Sequence, residues 1–188
     1  MRIIAGHYKG THLYTPTGKE TRPTSDRARQ TLFDILLHAP WAGKSFIEDA
    51  IILDAFAGTG ALGLEALSRG AQKAIFFEKN TQTRQVLEKN IQLCRANSQS
   101  ILYKDVLTSP PSNYLCNLIF FDPPYHQKLI PIAFEHLRRN RYISKDALII
   151  TETAIDEPLL MDQSVTLLNE RKIGAAYLKF WKYSNMIE

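Results

Sequence analysis

With 188 residues, 45% of them apolar and 22% charged, the chain has the length and balance of one globular domain that buries about 70% of its unfolded surface. This composition excludes disorder, a collagen-like repeat and a coiled coil. No apolar run reaches the roughly 20 residues of a bilayer span.

The start, Met1-Arg-Ile-Ile-Ala-Gly-His, lacks a signal peptide's apolar stretch, so a cytoplasmic protein is expected. Cys94 and Cys116 are too few for a disulfide framework, and no CxxC or HExxH pattern offers a metal site. Both are expected to be reduced core residues. The net charge of +4 lies in residues 1–30, where six Lys and Arg face only Glu20 and Asp26. His7, His12, Tyr8 and Tyr14 are interleaved with those bases, a mixture that suits a polyanion with stackable bases. On charge alone, a solvated basic hairpin explains it equally well.

In chain order, residues 2–15 read as short extended segments around Gly10, a hairpin, followed by turn chemistry at Thr15-Pro-Thr-Gly-Lys. Thr24 or Ser25 can cap a helix carrying Ala28, Leu32, Phe33, Leu36 and Leu37 at helical spacing, ending near Pro40. Strands are then expected at 50–54, 73–78, 100–105, 117–122 and 147–152, and helices at 60–69, 81–96 and 127–139. Apolar strands alternating with helices imply a parallel sheet covered on both faces. Residues 165–173 and 176–183 flank Gly174 like a hairpin, so a seven-stranded α/β sheet should close with an antiparallel pair. The cluster Arg138, Arg139, Arg141 and Lys145 follows a helix and can complement its dipole.

The strongest local signal is Asp54-Ala-Phe-Ala-Gly-Thr-Gly-Ala-Leu-Gly, a strand entering a Gly-rich turn and a helix. Gly58 and Gly60 let a ligand approach the backbone, and helix N-terminal amides favour negative or polar groups. Gly58-x-Gly60-x-x-Gly63 also fits the dinucleotide fingerprint, so the turn alone does not choose between NAD and S-adenosylmethionine. Gly43-Lys44-Ser45 looks like the end of a phosphate loop, but its first glycine would fall at His38.

Glu78 ends the second strand, where a carboxylate accepts from ribose hydroxyls. Asp54 can meet a charged amino group, and Asp105 an adenine amine. A sulfonium cofactor tolerates such an acidic rim, whereas a pyrophosphate is repelled. At the end of the fourth strand, Phe121-Asp122-Pro123-Pro124-Tyr125 removes two amide donors, leaves carbonyl acceptors, and adds a carboxylate and a flat ring. That corner suits an sp² amine on a base that can stack.

These motifs resemble class I S-adenosylmethionine-dependent methyltransferases. One family among them, the RsmD-like 16S ribosomal RNA guanine-N2 methyltransferases, is similar along the chain to about residue 183. The specific matches are Arg22-Pro-Thr-x-Asp26-Arg-x-Arg29-x-x-Leu32-Phe33 and Leu53 to Gly70, with Asp122-Pro-Pro-Tyr125 shared more widely. The resemblance implies a Rossmann-like domain over 21–188 with a basic, RNA-gripping extension over 1–20. It implies that Asp54, Gly58 and Gly60 hold the methionine part, Glu78 the ribose, and Asp105 with Val106 the adenine, with Phe56 and Thr59 also binding the cofactor. Asp122, Pro123 and Tyr125 would hold and stack the guanine, Asp122 also lying against the cofactor. Arg2, Lys9, Arg22, Thr24 and Arg27 would meet RNA. The enzyme would be a monomer acting on ribosomal RNA, bare or in a small-subunit assembly particle.

Two departures stand out. Tyr125 occupies a position where Phe is frequent, and the Pro-interrupted stretch between strands five and six implies a shortened helix. Rival readings are an NAD-dependent oxidoreductase on the same loop, although no Tyr-x-x-x-Lys pair accompanies it, and a non-enzymatic RNA-binding protein. Adenine-N6 and protein glutamine-N5 methyltransferases use similar corners.

Overall fold

The computed structural model describes residues 1–16 and 26–184. Arg22, Thr24, the helix cap expected at Thr24 or Ser25, and part of the turn after Thr15 lie outside those residues.

Among the described residues, seven strands form one sheet: β1 (Ile51–Asp54), β2 (Lys73–Phe77), β3 (Ser100–Tyr103), β4 (Cys116–Phe121), β5 (Ile143–Ala154), β6 (Val165–Ile173) and β7 (Ala176–Tyr183), in the spatial order β3-β2-β1-β4-β5-β7-β6. The first five are parallel, and β7 runs antiparallel between β5 and β6. The order reverses between β1 and β4, which opens a crevice at the strands' carboxyl ends. This is the mostly parallel α/β sheet, closed by an antiparallel pair, that the alternation and the terminal hairpin imply.

Both faces are covered because successive residues of the central strands are apolar and point alternately to the two sides. Ile52, Phe76, Phe120 and Ile150 face α1 (Asp26–His38), α3 (Ala61–Ser68) and α4 (Thr81–Leu93). Leu53, Ile75, Phe77 and Phe121 face α5 (Leu129–Arg139). Every residue of α3 is buried, so this helix shows no polar stripe. The α4 helix is capped by Asn80, whose side chain accepts from the Gln82 and Thr83 amides. Arg138 and Arg139 sit in the last turn of α5, and both pair with Glu135.

Three details differ from the sequence reading. A short helix, α2 (Lys44–Glu48), was not expected; it seats Ile47 in the core. Residues 155–164 contain no helix at all, because Pro158 interrupts a stretch held by local turns such as Ser164 N–H to Asp162. The N-terminal reversal is antiparallel but carries only one isolated bridge, Arg2 to His12. Ile3 N–H to the Thr11 carbonyl, Gly10 N–H to the Ile3 carbonyl and Leu13 N–H to the Met1 carbonyl also cross it, while Ile4 and Ala5 N–H turn to the body of the protein and donate to the Glu65 carboxylate at 2.8 and 3.1 Å. Gly6 approaches α3 so closely, at φ +82°, that a Cβ would lie 1.7 Å from the Ser68 carbonyl oxygen. Cys94 and Cys116 are buried thiols, as expected, and burial pushes them up to about 11 and about 12 respectively.

Candidate active site

Each of the five parallel strands ends in, or is closely followed by, an acid. Asp54 closes β1, Glu78 follows β2, Asp105 follows β3, and Asp122 follows β4. Glu152 lies on β5, next to Thr151, which pairs with Phe121 of β4. Parallel register brings these five to one edge of the sheet, the edge where open α/β folds take ligands.

The Gly-rich turn is built around two of these acids. Asp54 is 1% exposed. Its Oδ2 accepts from the Gly63 amide at 3.2 Å, and its Oδ1 is buried with no hydrogen-bond partner among the described residues. Burial pushes this carboxyl up to about 7; the Gly63 and Phe56 N–H groups oppose the rise, and the Glu78 charge adds to it. The Glu78 carboxylate accepts from Gly58 N–H at 2.9 Å and from Asn80 N–H at 2.7 Å. Burial raises it as well, partly offset by those amides and that of Lys79. Gly58 takes φ +55° with open space where a side chain would sit, so the turn leaves a cradle.

This geometry refines the expectation that the first amides of α3 face a negative ligand. Gly63 N–H is taken by Asp54, Gly58 N–H by Glu78, and Gly60 N–H by the Ala57 carbonyl at 2.7 Å. A diphosphate would meet acids here, with those three donors already engaged. A cation or a polyol fits better.

Asp105 begins a short 3-10 turn, Val106–Thr108, and its Oδ1 accepts from Leu107 N–H at 3.0 Å. Lys79 Nζ lies 3.0 Å from Oδ2. Burial pushes Asp105 up, but the Leu107 amide and the Lys79 ammonium outweigh it and hold the carboxyl below its ordinary value. Val106 beside it is buried. The Phe56 ring tilts against Phe121 at 6.4 Å between centroids.

Across the crevice, Pro123 is buried and Asp122 and Tyr125 are half-buried. The Tyr125 hydroxyl donates to Glu152 Oε1 at 2.7 Å. Asp122 and Glu152 line one small hollow, floored by Phe120 and Phe121 and walled by Leu62 of α3. A separate surface groove between Tyr14 and the α4 residues Val86 and Lys89 shares none of these residues. Arg2, Lys9 and Arg27 are exposed.

The sequence reading missed Glu152 and Asn90. The signal for Glu152 was present, since Thr151-Glu152 ends its strand in an acid like the other four. Asn90 is fully buried on α4; its amide donates to Tyr14 O and Thr59 O, and its Oδ1 accepts from Tyr14 N–H. It thereby ties the Gly-rich turn to the N-terminal arm, and no local pattern reveals that.

The family described as conserved hypothetical protein 95 matches residues 1–182. Ribosomal RNA small subunit methyltransferase D of Haemophilus influenzae is 35% identical over 189 residues, covering 97% of this chain and 93% of that protein. The protein of the same name from Escherichia coli K12 is 36% identical over 160 residues, covering 85% and 77%. Among solved structures, the Escherichia coli protein yhhF superposes with a TM-score of 0.83 at 31% identity, over 98% of both chains.

Proposed function

Because the chain belongs to the conserved hypothetical protein 95 family, we propose that it is an S-adenosylmethionine-dependent methyltransferase of small-subunit ribosomal RNA whose product is N2-methylated guanine. The observation that carries this reading is the pairing of an acid-rimmed Gly-rich turn with a rigid corner poor in amide donors, across one crevice. The residues fit the cofactor: among the described residues, Asp54 Oδ1 is a buried acceptor without a hydrogen-bond partner, and the space at Gly58 is open. The same rim disfavours NAD, whose pyrophosphate would face acids.

Asp54, Phe56, Gly58, Thr59 and Gly60 would hold the methionine end of the cofactor, Glu78 the ribose, and Asp105 with Val106 the adenine. When bound, S-adenosylmethionine supplies an electrophilic methyl carbon on a sulfonium centre. Tyr125 stacks the guanine once it is unpaired or flipped out of its helix. The Asp122 carboxylate and the Pro123 carbonyl accept the two N2 hydrogens, so the nitrogen lone pair is held in line for a single displacement. The acceptors also draw electron density onto that nitrogen. After transfer the methylated amine is far more acidic than before, so Asp122 need not be a strong base. Pro123 and Pro124 fix the loop, so little order has to be created on binding.

Arg2, Lys9 and Arg27, all exposed, would contact phosphates. Arg22 and Thr24, outside the described residues, would lie near the mouth of the site, the extension over 1–20 gripping RNA beside the catalytic domain. The reading includes work in the cytoplasm as a monomer, on bare ribosomal RNA or an assembling small subunit.

The test is Asp122→Ala with a labelled methyl donor. Turnover should fall about 100-fold or more, while cofactor affinity stays within about threefold of wild type. Near-normal turnover would remove Asp122 from the chemistry. Mapping the labelled base then decides the product: label on adenine N6 or on a protein glutamine would replace the guanine assignment.

A further inference from the structure

We propose that Glu152 is a positioning residue that fixes the Tyr125 ring in the orientation needed to stack the target base. The proposal deepens the function proposed above and rests on Tyr125 being the stacking ring.

Tyr125 stands in the irregular link between β4 and α5, beside His126 at φ +62° and close to Lys128 at φ +52°. The two prolines before it stiffen the backbone but leave the ring two rotatable side-chain bonds. Glu152 stands on the opposite kind of support. Its strand pairs with β4 on one side, and Glu152 itself is in register with Leu178 of β7 on the other. The Tyr125 hydroxyl donates to Glu152 Oε1 at 2.7 Å, a distance that suits a phenol meeting a carboxylate. The bond therefore anchors a loop-borne ring to the rigid centre of the sheet.

The register explains why this strand supplies the anchor. Phe121 pairs with Thr151, so the corner beginning at Asp122 and the carboxylate of Glu152 leave neighbouring strands at the same level. Both acids line the same hollow. A phenylalanine at position 125 could stack equally well but could not be held this way. The tyrosine and the glutamate therefore form a functional pair. Displacement of a reacting group by about 1 Å can cost about 100-fold in rate, so a ring free to swing would lower turnover without abolishing binding.

The test uses the full chain with ribosomal RNA and labelled S-adenosylmethionine, comparing E152A, E152Q, Y125F, Y125A and the double variant Y125F/E152A. E152A should lower kcat about 10-fold or more, with KM for S-adenosylmethionine within about twofold of wild type. E152Q keeps an acceptor oxygen and should recover to within about threefold of wild type. Y125F should resemble E152A, and E152A should cost nothing further in the Y125F background, which is the signature of two residues acting as one. Unchanged cofactor affinity confirms that each variant is folded. Equal losses from E152A in both backgrounds, or full activity of E152A, would overturn the pairing while leaving the stacking role intact. Full activity of Y125A would instead sink the stacking role and the pairing together.

Discussion

Asp54 is the acid that the fold alters most. Buried beneath the Gly-rich turn, its carboxyl is raised from 3.8 to about 7, with burial the largest cause. Between those two values the folded chain keeps a proton that the unfolded chain has released. The group's contribution to stability is therefore fully present below about 4 and is lost as pH rises through about 7. Cofactor binding should run the other way, because a cationic amine prefers the ionised carboxylate. We expect affinity for S-adenosylmethionine to tighten about tenfold between pH 6 and pH 8. Asp54→Asn should flatten that profile and bind weakly throughout. Calorimetric titrations across this range, in two buffers of different ionisation heat, would show proton release in the wild type and none in the variant. A flat wild-type profile would mean that Asp54 does not meet the amine. Its neighbours differ: Glu78 is raised by burial but tempered by three amides, whereas Lys79 and the Leu107 amide keep Asp105 low.

The turn and the helix it feeds separate ligand space from packing space. A Cβ at Gly58 would meet nothing within 4 Å, although φ +55° strains any other residue; at Gly63 it would lie 2.3 Å from Phe76 Cε1. Gly58→Ala should therefore cost only about 1–2 kcal/mol in stability yet weaken cofactor binding by more than tenfold, since the methyl fills the cradle. Gly63→Ala should push α3 off β2 at a cost of about 1–3 kcal/mol, with near-normal affinity in the protein that remains folded. Melting and equilibrium dialysis on both variants would expose the split, and equal affinity losses would contradict it.

The same elements show what a sequence can and cannot disclose. The five parallel strands were legible because burial on both faces demands unbroken apolar runs, and the turn because its glycines punctuate a strand and a helix. The five-residue α2 was not, having no side-chain cap and a single buried residue, Ile47. The stretch 155–164 looked weakly helical, but Pro158 and local turns left it without a helix. Three of the rim acids and the Asp122 corner could be read from strand ends. Glu152's bond to Tyr125 could not, because it depends on β5 lying beside β4.

The N-terminal arm joins the rest of the protein through charge buried beneath it. Glu65, on α3, is fully buried; it accepts from the Ile4 and Ala5 amides, takes Arg69 Nε at 2.8 Å, and lies 3.7 Å from Arg29 Nε. Arg29 reaches on to the Arg2 carbonyl at 2.6 Å and to Asp26 at 2.9 Å. Ser68 Oγ accepts from Tyr8 N–H, and the Ser68 carbonyl accepts from His7 N–H. The basic arm is thus fastened to the helix that leads out of the Gly-rich turn, and Asn90 fastens it again to Thr59 within that turn. RNA contacts on the arm would then be held in a fixed relation to the cofactor.

Ion pairs of this kind are worth little against a well-packed apolar substitute, but removing one partner strands the others. Glu65→Leu leaves two guanidinium groups and two backbone amides short of an acceptor, so it should cost about 3–5 kcal/mol. For a chain of this size that is a fall in melting temperature of roughly 10 °C. The loss should be spatially specific. Amide exchange at Ile4 and Ala5 should accelerate to the rate of an open segment, while exchange in β1 and β4 changes only as much as global stability does. A variant that melts within a degree or two of wild type, with both amides still protected, would show that the arm is held by Ile3 and Leu13 in the core rather than by this carboxylate.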